Sequence, residues 1–191
     1  MCNANWLDYC QSIISEFSLN KVRAVVAGGE TGQLSIHNGL LAAAKLSDPK
    51  KTVVLIHDGV RPLIDAGTIE RNVASVEEFG SSITCVKAKE TILVKADDGV
   101  EIVPRENVLL ARAPQGFWLS DILAAHKMAL DAGETGCIDS ATMMKAQGND
   151  LHLIVGPDEN IKITTQDDYY SMRSILDSRE NNQLYAEGED E

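Results

Sequence analysis

Thr52-Val-Val-Leu-Ile56 is apolar at every position after its first and breaks off at the polar loop His57-Asp58-Gly59-Val60-Arg61-Pro62. A short β-branched run without polar alternation is the mark of a strand covered on both faces, which calls for helices above and below a sheet. The neighbouring segments supply them. Residues 4–18 carry Trp6, Cys10, Ile13, Ile14 and Phe17 at helical spacing. Lys21–Ala27 is short and β-branched and ends in Gly28-Gly29, so it reads as a strand entering a flexible turn. Ser35 is placed to cap a helix over 36–45. A helix over 66–79 and a strand over 82–86 continue the alternation.

The middle of the chain changes character. Thr91–Lys95, Asp97-Asp98-Gly99 and Val100–Val103 read as a β-hairpin, since Asp-Gly supplies the positive φ of a tight turn. A strand over 108–113 follows, then helices over 119–130 and 140–146, a strand over 151–155 and a last helix over 166–179. No repeat or linker interrupts this order. The expectation is one domain over 1–185 with an inserted hairpin arm at about 87–112, and a frayed acidic tail over 186–191. Strand–helix alternation implies a mostly parallel sheet between helical layers, with ligands beyond the carboxyl ends of the strands. That rule selects the loops 27–34, 57–63, 86–91 and 156–165.

Charge limits the ligand. Seventeen Lys and Arg against 29 Asp and Glu leave a net charge of −12. Duplex nucleic acid requires a basic footprint, so a generic nucleic-acid role is excluded, whereas a small phosphorylated ligand needs only a few local cations. Cys2, Cys10, Cys85 and Cys137 show neither C-x-x-C pairing nor regular spacing, which speaks against a zinc cage or a disulfide framework. No apolar run reaches the roughly 20 residues of a membrane span, and Met1–Trp6 lacks signal-peptide character. A soluble cytoplasmic protein is expected.

Several loop residues have chemical uses. Gly28, Gly29 and Ser35 lie where backbone amides and a helix start can approach a phosphate or a sugar, although the spacing matches neither common glycine-rich phosphate motif. Asp58, directly after a buried strand, can hold Mg²⁺ through one oxygen while nucleotide phosphates take other positions; otherwise it hydrogen-bonds its own turn. Arg61 puts a permanent cation beside it. His57 reads as packed rather than ligating, and His37, His126 and His152 lack partners at metal-binding spacing. Thr91, Arg105 and Lys162 supply the hydroxyl and cations that a phosphomonoester dianion needs.

Taken in order, Gly28-Gly29-x-x-x-Gln33-x-Ser35-x-x-Asn38-Gly39-Leu40, His57-Asp58-Gly59-Val60-Arg61-Pro62, Glu90-Thr91, Arg105, Ala113-Pro114-Gln115-Gly116-Phe117, Asp139-Ser140-Ala141 and Glu159-Asn160-Ile161-Lys162-Ile163-Thr164-Thr165 resemble the cytidylyltransferases that make CDP-polyols. These act on 2-C-methyl-D-erythritol 4-phosphate or ribitol 5-phosphate, and the resemblance spans about residues 20–177. It implies an α/β, three-layer Rossmann-like nucleotidyltransferase fold with a mostly parallel sheet and a hairpin arm. It also implies CTP and a polyol phosphate as substrates and Mg²⁺ as cofactor. Gly28, Gly29, Ser35 and Asp58 would contact the nucleotide, with Asp58 also holding the metal. Thr91, Arg105 and Lys162 would grip the acceptor phosphate, and Asp58, Lys162 and Arg105 would form the catalytic set. In the family the arm is exchanged across a homodimer, so Thr91 and Arg105 would serve the partner's site.

Two departures stand out. Gly32 occupies a position where many members carry arginine. Nothing before Gly28 resembles the family's opening strand and glycine-rich loop, A-A-G-x-G-x-R-M followed by P-K, so the chain reads as N-terminally truncated. The resemblance therefore leads to the expectation that these residues alone turn over little. A non-catalytic dimerisation module is the alternative; a dinucleotide-dependent oxidoreductase is weakened by the missing third glycine. Gly32 and Gly59-Val60 lean the acceptor towards ribitol 5-phosphate or an uncharacterised branch.

Overall fold

The computed structural model describes residues 1–186. The chain order is α1 (Leu7–Glu16), α2 (Gly32–Ala44), β1 (Val53–Ile56), α3 (Ala66–Phe79), β2 (Ser81–Lys87), β3 (Ile92–Ala96), β4 (Gly99–Val103), β5 (Leu109–Trp118), α4 (Leu119–Asp131), α5 (Ser140–Ala146), β6 (Leu153–Val155) and α6 (Gln166–Ala186). The acidic stretch 187–191 lies outside the described residues.

The main sheet runs β1-β5-β2-β6. β5 is antiparallel to both β1 and β2, and β2 is parallel to β6. Three of the four strands thus point the same way and β5 alone is reversed, which keeps the sheet mostly parallel in direction. Side-chain alternation along β2 divides the layers. Ile83 faces a core built with Leu40, Phe117, Leu119, Ile122 and Met143 from α2, β5, α4 and α5. Ser82 and Thr84 face α3 instead, where Asn72 bonds both hydroxyls. Those hydroxyls are fully buried, and burial without such a partner would cost about 1–3 kcal/mol each.

The segment expected as the first strand, Lys21–Ala27, is not one. Among the described residues it makes a single parallel bridge, Cys2 to Ala27. Cys2 N–H donates to the Val26 carbonyl at 3.1 Å and the Cys2 carbonyl accepts from Gly28 N–H at 2.7 Å. A ladder needs consecutive partners, and beyond Cys2 the chain turns into a short 3-10 turn capped by Asn3. β1 is correspondingly an edge strand, half-buried at each position rather than fully covered. A groove of about 420 Å³ opens between it and residues 21–26, with Ile36, Leu40 and Val54 in its lining.

Other boundaries move for local reasons. Thr31, not Ser35, caps α2, accepting from Leu34 N–H, so the helix begins one turn early and Ser35 lies inside it. In the hairpin, Ala96 pairs with Gly99, leaving Asp97-Asp98 as the two-residue loop, and the positive φ of 146° falls on Gly99. β5 runs through Pro114 to Trp118, well past the expected end at Ala113, because Gln115–Trp118 continue the ladder to β1. α6 continues to Ala186, seven residues past its expected end at Arg179. Among the described residues no helix is long and apolar enough to cross a membrane.

Candidate active site

The loop after β1 is shaped by its own residues. Arg61 N–H closes a turn onto the Asp58 carbonyl at 3.0 Å, and the Arg61 carbonyl meets His57 Nε2 at 3.0 Å. His57 is therefore packed into the turn, as expected, rather than placed as a ligand. The turn directs Asp58 and Arg61 together: Arg61 Nε donates to Asp58 Oδ2 at 3.0 Å. Lys162 Nζ approaches the same oxygen at 3.5 Å from the loop after β6. The two loops are tied by Ile163 N–H donating to the Val60 carbonyl at 2.8 Å.

The Lys162 loop is pinned along its length. Arg61 Nη1 donates to the Asn160 carbonyl at 3.0 Å, and Asn160, fully buried, sends Nδ2 to the Ala113 carbonyl at 2.7 Å. Arg179 of α6 bonds Glu159, and Lys89 pairs with Asp158 at 2.8 Å. Thr165 opens α6 as a reciprocal cap: Asp168 N–H donates to Thr165 Oγ1 while the Asp168 carboxylate accepts from the Thr164 and Thr165 amides. Those amide bonds, with the Thr165 hydroxyl, hold the Asp168 carboxyl down at about 2.

A hollow of about 500 Å³ opens between these loops, the start of α2 and the start of α5; Ser35, Asp58, Arg61, Arg112, Gln115 and Lys162 line it. Gln115 forms its floor, donating to Asp139 Oδ2 at 2.9 Å and accepting from Ala141 N–H at 2.9 Å. Burial pushes the Asp139 carboxyl up, but bonds from Thr142 and Gln115 outweigh it and leave the group below its ordinary value.

The residues singled out from sequence divide in two. Asp58, Lys162 and Ser35 share the hollow. Gly28 and Gly29 line an adjoining one, also bordered by Ser35, and their amides are already used, Gly28 N–H by the Cys2 carbonyl and Gly29 N–H by Ser35 Oγ at 3.0 Å. Gly29 is required by close approach, since a Cβ there would collide with Leu34. Arg105 and Thr91 lie at the base of the hairpin, where Arg105 Nη1 reaches the Lys89 carbonyl at 3.4 Å. Neither lines this chain's own hollow. Gln115, Asp139 and Asn160 lie in the family-like motifs without an assigned part, and Arg112 lies in none; Pro114, which has no N–H to give a ladder, is the local signal for the slip in register between β2 and β5.

Asp58 also fits a shared metal. Its Oδ1 has no partner among the described protein groups, and Mg²⁺ commonly takes one or two carboxylates with substrate phosphates and waters. Among the described residues no cluster of three or more His, Cys, Asp or Glu side chains is placed to hold a metal unaided.

An α/β sheet with a carboxylate and several cations at the strand ends is the arrangement of a nucleotidyltransferase. Residues 3–178 match the family model of 2-C-methyl-D-erythritol 4-phosphate cytidylyltransferase. The chain is 49% identical over 188 residues to a ribitol-5-phosphate cytidylyltransferase of Streptococcus agalactiae, covering 97% of this chain and 78% of that relative. It is 40% identical to the 2-C-methyl-D-erythritol 4-phosphate cytidylyltransferase of Geotalea uraniireducens, over 90% of this chain and 73% of that one. The crystal structure of 4-diphosphocytidyl-2C-methyl-D-erythritol synthase from Anaerococcus prevotii superposes with a TM-score of 0.78 at 28% identity, over 92% of this chain and 78% of that chain. The chain belongs to the 2-C-methyl-D-erythritol 4-phosphate cytidylyltransferase family and is a cytidylyltransferase.

Proposed function

We propose that the protein transfers CMP from CTP to ribitol 5-phosphate, forming CDP-ribitol and pyrophosphate. The observation that carries the acceptor is graded identity: relatives named for ribitol 5-phosphate stand at 49% and 43%, against 40% for one named for 2-C-methyl-D-erythritol 4-phosphate. An oxygen of the acceptor's phosphate attacks the α-phosphorus of CTP. The new P–O bond forms as the bond to the bridging oxygen breaks, and the electron pair leaves with pyrophosphate.

Two anions must be brought together, so the protein's task is positioning and charge neutralisation. Asp58 and Ser35 address the nucleotide, with Gly28 and Gly29 shaping the loop beside it. Lys162 holds the acceptor phosphate, exchanging its contact with Asp58 for a dianion. Asp58 would hold Mg²⁺, which when bound would supply Lewis-acid neutralisation of the nucleotide's charge. The remaining grip, Thr91 and Arg105, reaches the site from a second copy of the chain. Leu93 and Ile102, directly paired on the hairpin, are 62% and 66% exposed, which suits an arm that buries its side chains in a homodimer.

The test is side-by-side kinetics with CTP, Mg²⁺ and each polyol phosphate, with the CDP-alcohol read by ³¹P NMR. A preference for ribitol 5-phosphate in kcat/KM is expected. Equal use of both acceptors, or preference for methylerythritol phosphate, overturns the assignment.

A further inference from the structure

β2 and β5 fall out of step at the site. Ile83 pairs with Gln115, but the next pairing is Cys85 with Ala111, so one residue of β2 (Thr84) faces three of β5: Arg112, Ala113 and Pro114. A bulge of this kind releases side chains from the ladder and re-aims them. Arg112 is the long one. Its Nη1 donates to the carbonyls of Asp158 at 2.8 Å and Asn160 at 3.0 Å, with Pro157 at 3.4 Å. Its Nε and Nη2 have no acceptor among the described residues.

The Asn160 carbonyl takes both Arg61 and Arg112, bringing two guanidiniums to one oxygen. The nearby carboxylates are already engaged, Asp58 by Arg61 and Lys162, and Asp158 by Lys89. Arg61 directs Nε and Nη1 to fixed protein acceptors, so Arg112 is the guanidinium with an open edge. A highly acidic chain has thus gathered uncompensated positive charge at one wall of its hollow. Burial and the neighbouring Arg61 pull the Arg112 guanidinium below its ordinary value, partly offset by Asp158. A dianion beside it relieves that repulsion.

We propose that Arg112 is an acceptor-binding residue: anchored through Nη1 to the 157–160 loop, it presents Nε and Nη2 to the phosphate of the polyol phosphate, opposite Lys162. This rests on the acceptor reading above and supplies the second cation that a phosphomonoester requires from within the same chain. The anchor fixes the fork before the ligand arrives, so little side-chain freedom is lost on binding.

The test compares Arg112→Met and Arg112→Lys with the unaltered protein. In Arg112→Met, KM for ribitol 5-phosphate rises roughly 10- to 100-fold while KM for CTP moves less than about threefold. Calorimetric titration with inorganic phosphate, independent of turnover, shows the same loss of affinity. Arg112→Lys keeps a cation without the fork and gives an intermediate loss of both; it decides the matter if Arg112→Met does not fold. Equal changes in both KM values, or unchanged phosphate affinity in the lysine variant, mean that Arg112 only pins the loop and overturn the proposal. If the unaltered protein prefers methylerythritol phosphate, the acceptor reading fails by itself; if these residues turn over neither acceptor, the phosphate titration alone decides the part played by Arg112.

Discussion

Asp58 joins two of the cations that line the hollow. Its Oδ2 accepts from Arg61, only 9% exposed, and faces Lys162, so one carboxylate sets the direction of two cations. Replacing it by asparagine keeps the shape and removes the charge. Arg61 then loses its counter-ion, Lys162 loses its tether, and no carboxylate remains to share a metal with the nucleotide. Asp58→Asn is expected to lower kcat/KM by roughly 10²- to 10³-fold, in the range for losing a preorganised electrostatic group. Steady-state assays with CTP and Mg²⁺ check this, and turnover at the unaltered level excludes the role. The place of Asp58 was legible in sequence because the loop that follows an apolar strand run lies where α/β sheets bind ligands. The part played by Asn160 was not. Its Nδ2 bond to Ala113 joins residues 47 apart, and no local pattern encodes that.

Elements were legible where their local signals agreed and failed where a partner decided. α3 runs over the expected residues because Asp65 caps it through Thr68 and Gly80 ends it in the left-handed conformation. Lys21–Ala27 has the composition of a strand, but pairing makes a strand, and among the described residues only Cys2 pairs with it. The hairpin was legible through Asp98-Gly99, yet its register sets Leu93 against Ile102, both exposed among the described residues. In the main sheet, Ile83 and Phe117 are buried beneath helices; β3 and β4 have only each other, and two strands are marginal in water. A second chain is the cover that the homodimer reading provides. Leu93→Glu with Ile102→Glu is expected to convert a dimer to a monomer in light scattering while leaving the main core folded. A double variant that remains dimeric at micromolar concentration places the interface elsewhere.

At the scale of the whole molecule, the strand–helix alternation, the mostly parallel sense and the convergence of the loops after β1 and β6 were all implied by hydrophobic runs and by the rule for strand ends. The contents of the α2–α4 interface were not. His126 is fully buried in α4, stacked on His37 of α2 with ring centroids 5.4 Å apart, and neither of its ring nitrogens has a partner among the described residues. Burial, reinforced by His37, lowers its pKa from 6.5 to about 4. Above pH 6.5 the ring is neutral in both folded and unfolded chains and contributes no pH dependence. Between 6.5 and 4 the unfolded chain binds a proton that the folded chain refuses, so stability falls as the pH falls. Carried through to pH 4, that difference amounts to about 3 kcal/mol, a large share of a typical domain's stability. The lowered carboxylates of Asp65, Asp139 and Asp168 act in the same direction, but below pH 4, where they take up protons more readily once unfolded. Urea denaturation at pH 7, 5.5, 4 and 3 separates the two ranges. In His126→Leu, the decline between pH 6.5 and 4 should flatten while the fall below pH 4 remains. The variant should also be no less stable at pH 7, because leucine fills the site without a buried N–H to satisfy. A decline between pH 6.5 and 4 that survives in His126→Leu would assign the acid sensitivity to other groups.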